Sequence, residues 1–93
     1  MKKALLKIIK HYGVRHQQRK LSEEVFELQE AISNHEWLKS ERGMENKTHI
    51  IEEIGDVLNV VEQFMYFYEI DVNDVIESKH RKVDRQLDRM KEE

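Results

Sequence analysis

An all-α fold, an antiparallel bundle of about four helices forming one domain over residues 1–93, is what this sequence predicts. Three observations predict it. The chain has no proline and only 3 glycines, and those are the residues that break helices. Apolar side chains recur at three- and four-residue spacings, with no strand-like alternation anywhere. Charged residues make up 38% and apolar ones 39%, which suits amphipathic helices with one wet face and is too apolar and too periodic for a disordered chain.

The first helix is predicted from about Lys2 to His11, with Leu5, Ile8, Ile9 and Tyr12 on one side, and Gly13 interrupts it. The second runs from about Val14 to Ser33, or on to Leu38, with a core stripe of Val14, Leu21, Val25, Leu28 and Ile32. The stretch from Lys39 to Thr48 is polar, contains Gly43 and Asn46, and reads as the main loop. Thr48 is the expected N-cap of a third helix reaching about Tyr68. At about 100° per residue, Ile50, Ile54, Val57, Leu58, Val61, Phe64, Met65 and Tyr68 form one broad apolar face, which Val60 and Phe67 widen. So little of this helix can face water that it is expected at the centre of the bundle, part of it meeting a second subunit. Asp71 is the expected cap of a fourth helix carrying Val72, Ile76, Val83, Leu87 and Met90.

The formal net charge is -3, which argues against a nucleic-acid polymer or a membrane surface as partner, since both need a concentrated positive field. Without cysteine there is no disulfide framework and no thiolate metal site. The apolar run near Met1 is short and broken by lysines, so neither a signal peptide nor a membrane span is expected, and a soluble, cytoplasmic protein is.

Two acidic clusters stand out, Glu23-Glu24-Val25-Phe26-Glu27 and Glu52-Glu53-Ile54-Gly55-Asp56. Glu24 and Glu27 point to one side of the second helix, and Glu53 and Asp56 to one side of the third. The plain alternative is a pair of solvated helix faces. Position weighs against it: Glu53 and Asp56 share a side with His49, Val60 and Phe67, inside the apolar sector, and Glu24 and Glu27 flank the core stripe. Unpaired buried carboxylates cost several kcal/mol each and repel one another. A divalent cation relieves both. All-oxygen ligands select hard cations, and magnesium, with manganese as alternative, typically joins carboxylates to phosphates. A di-iron bundle needs two Glu-x-x-His pairs, and only Glu77-Ser78-Lys79-His80 is present.

These residues resemble a known family. Glu23-Glu24-Val25-Phe26-Glu27 followed by Glu53-Ile54-Gly55-Asp56 looks like the EExxE…ExxD pattern of the MazG-type nucleotide pyrophosphohydrolases, in the all-α NTP pyrophosphatase group with the dimeric dUTPases and dCTP pyrophosphatases. The likeness extends upstream to Gln17 and Lys20 and downstream to Asp56-Val57-Leu58 and to Lys79, Lys82 and Arg85, covering most of the chain from Val14 to about Arg85. It implies hydrolysis of a nucleoside triphosphate to a monophosphate and pyrophosphate, with cleansing of the nucleotide pool as the family's typical purpose. It implies Glu24, Glu27, Glu53 and Asp56 as magnesium ligands, and Glu23 as the group that orients the attacking water or takes its proton. Gln17, Lys20, Lys79, Lys82 and Arg85 are the substrate contacts it suggests, although Lys20, one turn before Glu24, can equally form a plain Lys-to-Glu helix pair. Many relatives read K-x-x-K-N-x-R in the last helix, whereas this chain has Val83 at the asparagine position, which puts the phosphate contacts of that helix in question.

Two further residues are candidates for substrate binding. Trp37 can stack on a base or pack against a helix. His49, one turn before Glu53, can contact phosphate or base, or serve as a cap. His16, His35 and His80 have no spacing that makes a ligand set. A homodimer or dimer of dimers is expected from the small size and the broad apolar face. The rival readings are a helical nucleotide- or metal-binding sensor without catalysis and an oligomeric interaction module.

Overall fold

The computed structural model describes the backbone of the chain and the side chains of residues 1–34 and 47–93. It is all-α, with α1 Lys2–Tyr12, α2 Val14–Phe67 and α3 Val72–Glu92. Among the described residues no helix is long and apolar enough to cross a membrane.

A straight helix as long as α2 would extend roughly 80 Å, yet the longest dimension of the molecule is 42 Å. Gln17 and Gln63, near its two ends, are hydrogen-bonded at 2.8 Å. The ends of α2 are therefore two antiparallel arms, residues 14–34 and 47–67, and with α1 and α3 they make up the four expected rods. The expected loop from Lys39 to Thr48 falls mainly on residues whose side chains lie outside those described. Thr48 does not begin a helix, because α2 is helical on both sides of it. The stretch lacks proline and is rich in Glu, Arg, Lys and Met, all good helix formers.

Gly13 separates α1 from α2 at φ 90 and ψ 157, a backbone region that is essentially glycine's own. Its N–H donates to the Ile9 carbonyl at 2.8 Å, closing α1 and turning it back over α2. The other end of α2 closes with Glu69 in the left-handed region at φ 54. The Ile70 N–H donates to the Met65 carbonyl at 2.8 Å and the Glu69 N–H to the Tyr66 carbonyl at 3.2 Å, the paired bonds of a Schellman ending. Asp71 then caps α3, its side chain accepting from the Asn73 N–H at 2.8 Å.

Leu5 and Ile9 of α1 are buried against α2, each burial contributing about 1.5–3 kcal/mol. Along the first arm the buried residues are Gln17, Glu24 and Ala31, every seventh position. Facing them on the second arm are Glu53, Val60 and Gln63. This seam is not the expected core stripe. Val14, Leu21 and Leu28 are half-buried beside it, and Val25 and Ile32 are exposed. The second arm is likewise less covered than its apolar face suggests, with Ile51, Ile54, Leu58 and Phe67 exposed. The reason is geometric: each arm carries apolar residues around more of its circumference than one antiparallel neighbour and α1 can cover. The stripe expected to hold α3 against the bundle is also in water. Val72, Ile76, Val83, Leu87 and Met90 are exposed, and no residue of α3 is buried.

Candidate active site

The seam places two carboxylates where water is scarce. Glu24 on the first arm is 6% exposed and Glu53 on the second is 8% exposed. Glu27, one turn beyond Glu24 and at the surface, completes a trio whose ligand oxygens all lie within 4.8 Å of one another.

Each buried carboxylate is engaged on one oxygen only. Lys20 Nζ lies 3.0 Å from Glu24 Oε1. His49 Nε2 lies 3.8 Å from Glu53 Oε1, so His49 stands beside the cluster as a neighbour of its ligand. On both arms the basic residue sits one helical turn before the acid. The second oxygens, Oε2 of Glu24 and of Glu53, are buried and have no hydrogen-bond partner. A buried acceptor left unpaired costs about 1–3 kcal/mol, and more when it is charged.

The electrostatics carry the same signature. The Glu27 carboxyl is held above its ordinary 4.5, first by the charge of Glu24, then by lost hydration, by the charge of Glu53 and by a hydrogen bond with Glu24. The Lys20 ammonium is held above its ordinary 10.5 by its hydrogen bond to Glu24, by the charge of Glu24 and, more weakly, by Glu23 and Glu27. Three mutually repelling carboxylates with two orphaned oxygens, and no thiolate or imidazole ligand set, fit a hard divalent cation.

Asp56 lies outside the trio. It is exposed, not inside an apolar sector as its helical projection suggests, and it lines a cavity of about 570 Å³ beside the cluster. Ile8 and Tyr12 of α1, Lys20, Glu23 and Glu24 of the first arm and Gln63 of the second also line that cavity. Its volume is of the size that takes a small ligand. Gln17, expected as a substrate contact, lines it too while bonded to Gln63. Lys79 instead borders a separate notch with Leu58, Tyr66 and Ile76, and Lys82 and Arg85 are exposed on α3. Within one chain the structure does not bring these three to the carboxylates. Trp37 lies outside the described residues.

Sequence reasoning missed Gln63 and the use made of Tyr12 and His16. Gln63 carries a faint signal, a lone amide between Val60 and Phe64 on an otherwise apolar face. Tyr12, expected in the core, is instead stacked on His16, with ring centroids 4.7 Å apart, at the cavity wall.

Fold and site together define a helical protein that gathers carboxylates from two antiparallel arms at the mouth of a ligand-sized cavity. The chain matches the MazG nucleotide pyrophosphohydrolase domain over residues 4–90, and it belongs to that family of hydrolases. No curated protein and no solved structure matches it.

Proposed function

We propose that this chain is a magnesium-dependent nucleoside triphosphate pyrophosphohydrolase, converting a (d)NTP and water to a (d)NMP and pyrophosphate, with removal of unwanted nucleotides from the pool as its purpose. One observation carries the reading: Glu24 and Glu53, each with a buried oxygen left unpartnered, converge with Glu27 in a chain of this family. Manganese satisfies the same oxygen ligands.

Glu24, Glu27 and Glu53 would hold the cation, with Asp56 at the cavity side. Bound there, it supplies charge neutralisation on the phosphates and acidifies a coordinated water. The chain's own residues do the rest. Glu23, at the cavity wall beside Glu24, orients the attacking water and accepts its proton. Lys20 shields Glu24 in the empty site and turns to a phosphate oxygen when substrate enters. The α1 lid of Leu5, Ile8 and Tyr12 keeps bulk water from one side of the cavity.

The working form is a homodimer or dimer of dimers in the cytoplasm. Its support is the apolar surface one copy leaves in water: Phe26 and Ile32 on the first arm, Ile54 and Leu58 on the second, and Val83 and Leu87 on α3. In such an assembly α3 is the element free to carry Lys79, Lys82 and Arg85 toward another copy's phosphates.

The test is pyrophosphate release from a panel of common and damaged nucleoside triphosphates with magnesium. Glu53→Ala and Asp56→Ala are each expected to lower kcat/KM by about 100-fold or more while circular dichroism shows the helices intact. Near-normal turnover in either variant refutes its ligand role. No turnover by the unaltered chain on any nucleotide leaves the sensor reading in place of the enzyme.

A further inference from the structure

Two turns away from the carboxylates, the seam holds a second polar constellation that phosphate chemistry does not use. His16 Nδ1 lies 2.7 Å from Gln17 Oε1, and Gln17 Nε2 donates to Gln63 Oε1 at 2.8 Å. The two glutamines are 3% and 4% exposed. The Gln63 carboxamide nitrogen has no other partner among the described residues, and Gln63 lines the cavity.

The position is suggestive on both arms at once. Gln17 stands seven residues before Glu24, and Gln63 seven residues after Asp56, so each is about 10 Å along its helix from the cluster. A nucleotide with its phosphates at the carboxylates lays its sugar across the level of Lys20 and Asn59 and brings its base to Gln63. The stacked Tyr12 and His16 rings and the aliphatic Leu5 and Ile8 supply the flat, apolar wall a base needs.

We propose that the His16–Gln17–Gln63 relay is the base-reading device of this site, and that it accepts amino and keto base edges alike by reversing its direction. In one direction His16 Nδ1–H donates to Gln17, Gln17 donates to Gln63, and Gln63 presents its NH2 to the cavity, where a keto oxygen accepts. In the other, both carboxamides are turned over and the imidazole proton sits on Nε2. Gln63 then donates to Gln17, Gln17 donates to His16 Nδ1, and the Gln63 oxygen faces the cavity, where an exocyclic amine donates. Each direction keeps both links of the relay, because a carboxamide and a neutral imidazole both carry a donor and an acceptor. His16 and Gln17 act as positioning residues, and Gln63 touches the base. The placement of the base rests on the hydrolase reading, whereas the relay itself does not.

The experiment measures calorimetric Kd values of the full chain for CMP and UMP with magnesium, alongside triphosphate turnover. The unaltered chain is expected to bind the two within about threefold of each other. Gln63→Glu offers the cavity only acceptors and is expected to favour CMP by about tenfold or more. His16→Lys, at an exposed position where folding is safe, offers Gln17 only a donor and is expected to shift preference toward UMP. Opposite shifts uphold the relay even if no triphosphate is hydrolysed, which sinks the hydrolase reading alone. Turnover with unchanged ratios overturns the relay and leaves the hydrolase standing. Shifts in the same direction, or no binding of either monophosphate, also overturn it. If Gln63→Glu fails to fold, the His16→Lys ratio decides by itself.

Discussion

The seam between the two arms of α2 and the outer face of α3 reverse the usual allocation of side chains. The seam buries Gln17, Glu24, Glu53 and Gln63, and α3 leaves Ile76, Val83, Leu87 and Met90 in water. The two glutamines are paired with each other, so their burial is offset within the chain. The two glutamates keep one orphaned oxygen apiece, and α3 keeps an unmatched apolar stripe. In the proposed reading the two unmatched features have different counterparts outside the chain: a cation for the first and a helix of another copy for the second. Perturbing each separately tests whether the two needs are independent.

The largest effect is expected at the seam. If the orphaned oxygens of Glu24 and Glu53 await a cation, magnesium at 100 times its Kd stabilises the fold by about 2.7 kcal/mol. For a domain of this size that is a rise in Tm on the order of 10 °C, read by differential scanning calorimetry with and without chelator. Glu53→Gln replaces a buried anion by a neutral amide, so the metal-free variant is expected to melt no lower than the unaltered chain and to lose the magnesium shift. A Glu53→Gln protein that still gains the full shift places the cation elsewhere.

The corresponding break in α3 is Leu87→Glu. Leu87 is half exposed, on a helix with no buried residue, so the stability of a single chain should change by less than about 0.5 kcal/mol. The assembly, followed by sedimentation at several concentrations, is expected to fall toward single chains. If mass is unchanged, the stripe on α3 is not what joins the copies.

This contrast also explains what was legible in the sequence. Gly13 as a break and Asp71 as a cap were readable because backbone freedom and a side-chain acceptor act within a few residues. That Glu24, Glu27 and Glu53 lie together was readable because Glu24 and Glu27 flank one apolar stripe and Glu53 enters another, whereas Asp56, projected into the same sector as Glu53, is exposed outside the trio. The seam itself was not. Periodicity counts apolar residues, and the positions that meet across the arms are Gln17, Ala31 and Gln63, which are polar or small. Burial there follows from a partner far along the chain, and nothing local records that partner. The same limit applies to α3, whose stripe is regular but is left largely uncovered by its own chain.

A smaller effect separates the two faces of the second arm. Gly55 lies inside a helix, where glycine is destabilising by about 0.5–1 kcal/mol relative to alanine. A Cβ built there meets nothing within 4 Å. Gly55→Ala is therefore expected to raise the Tm of the dilute, ligand-free chain by a few degrees. Gly55 adjoins both Asp56 and the exposed Ile54, so the same variant at assembling concentration reports which neighbour needs the space. A Tm gain that vanishes on assembly assigns the gap to another copy, and one that vanishes with nucleotide assigns it to substrate.

The smallest effect is in pH, and its sign distinguishes repulsion within the cluster from an ordinary surface. Because the Glu27 carboxyl is held above 4.5 chiefly by Glu24, the folded chain binds its proton more tightly than the unfolded chain. Between 4.5 and the raised value the folded state carries more protons, so stability falls as pH rises through that window. The contribution is whole below 4.5 and gone above the folded value. Lys20, raised above 10.5 by Glu24, works at the other end: its contribution is whole below 10.5 and lost as pH rises past its folded value. With chelator present, Tm is expected to decline gently across the acid window, by less than the magnesium shift because Glu27 is at the surface and solvent screens it. If magnesium takes the place of the proton, the gap between the metal-bound and metal-free melting curves should widen as pH rises from 4.5. A gap that stays constant through the window would show that Glu27 does not share the cation with Glu24 and Glu53, and would reduce the ligand set to the two buried carboxylates.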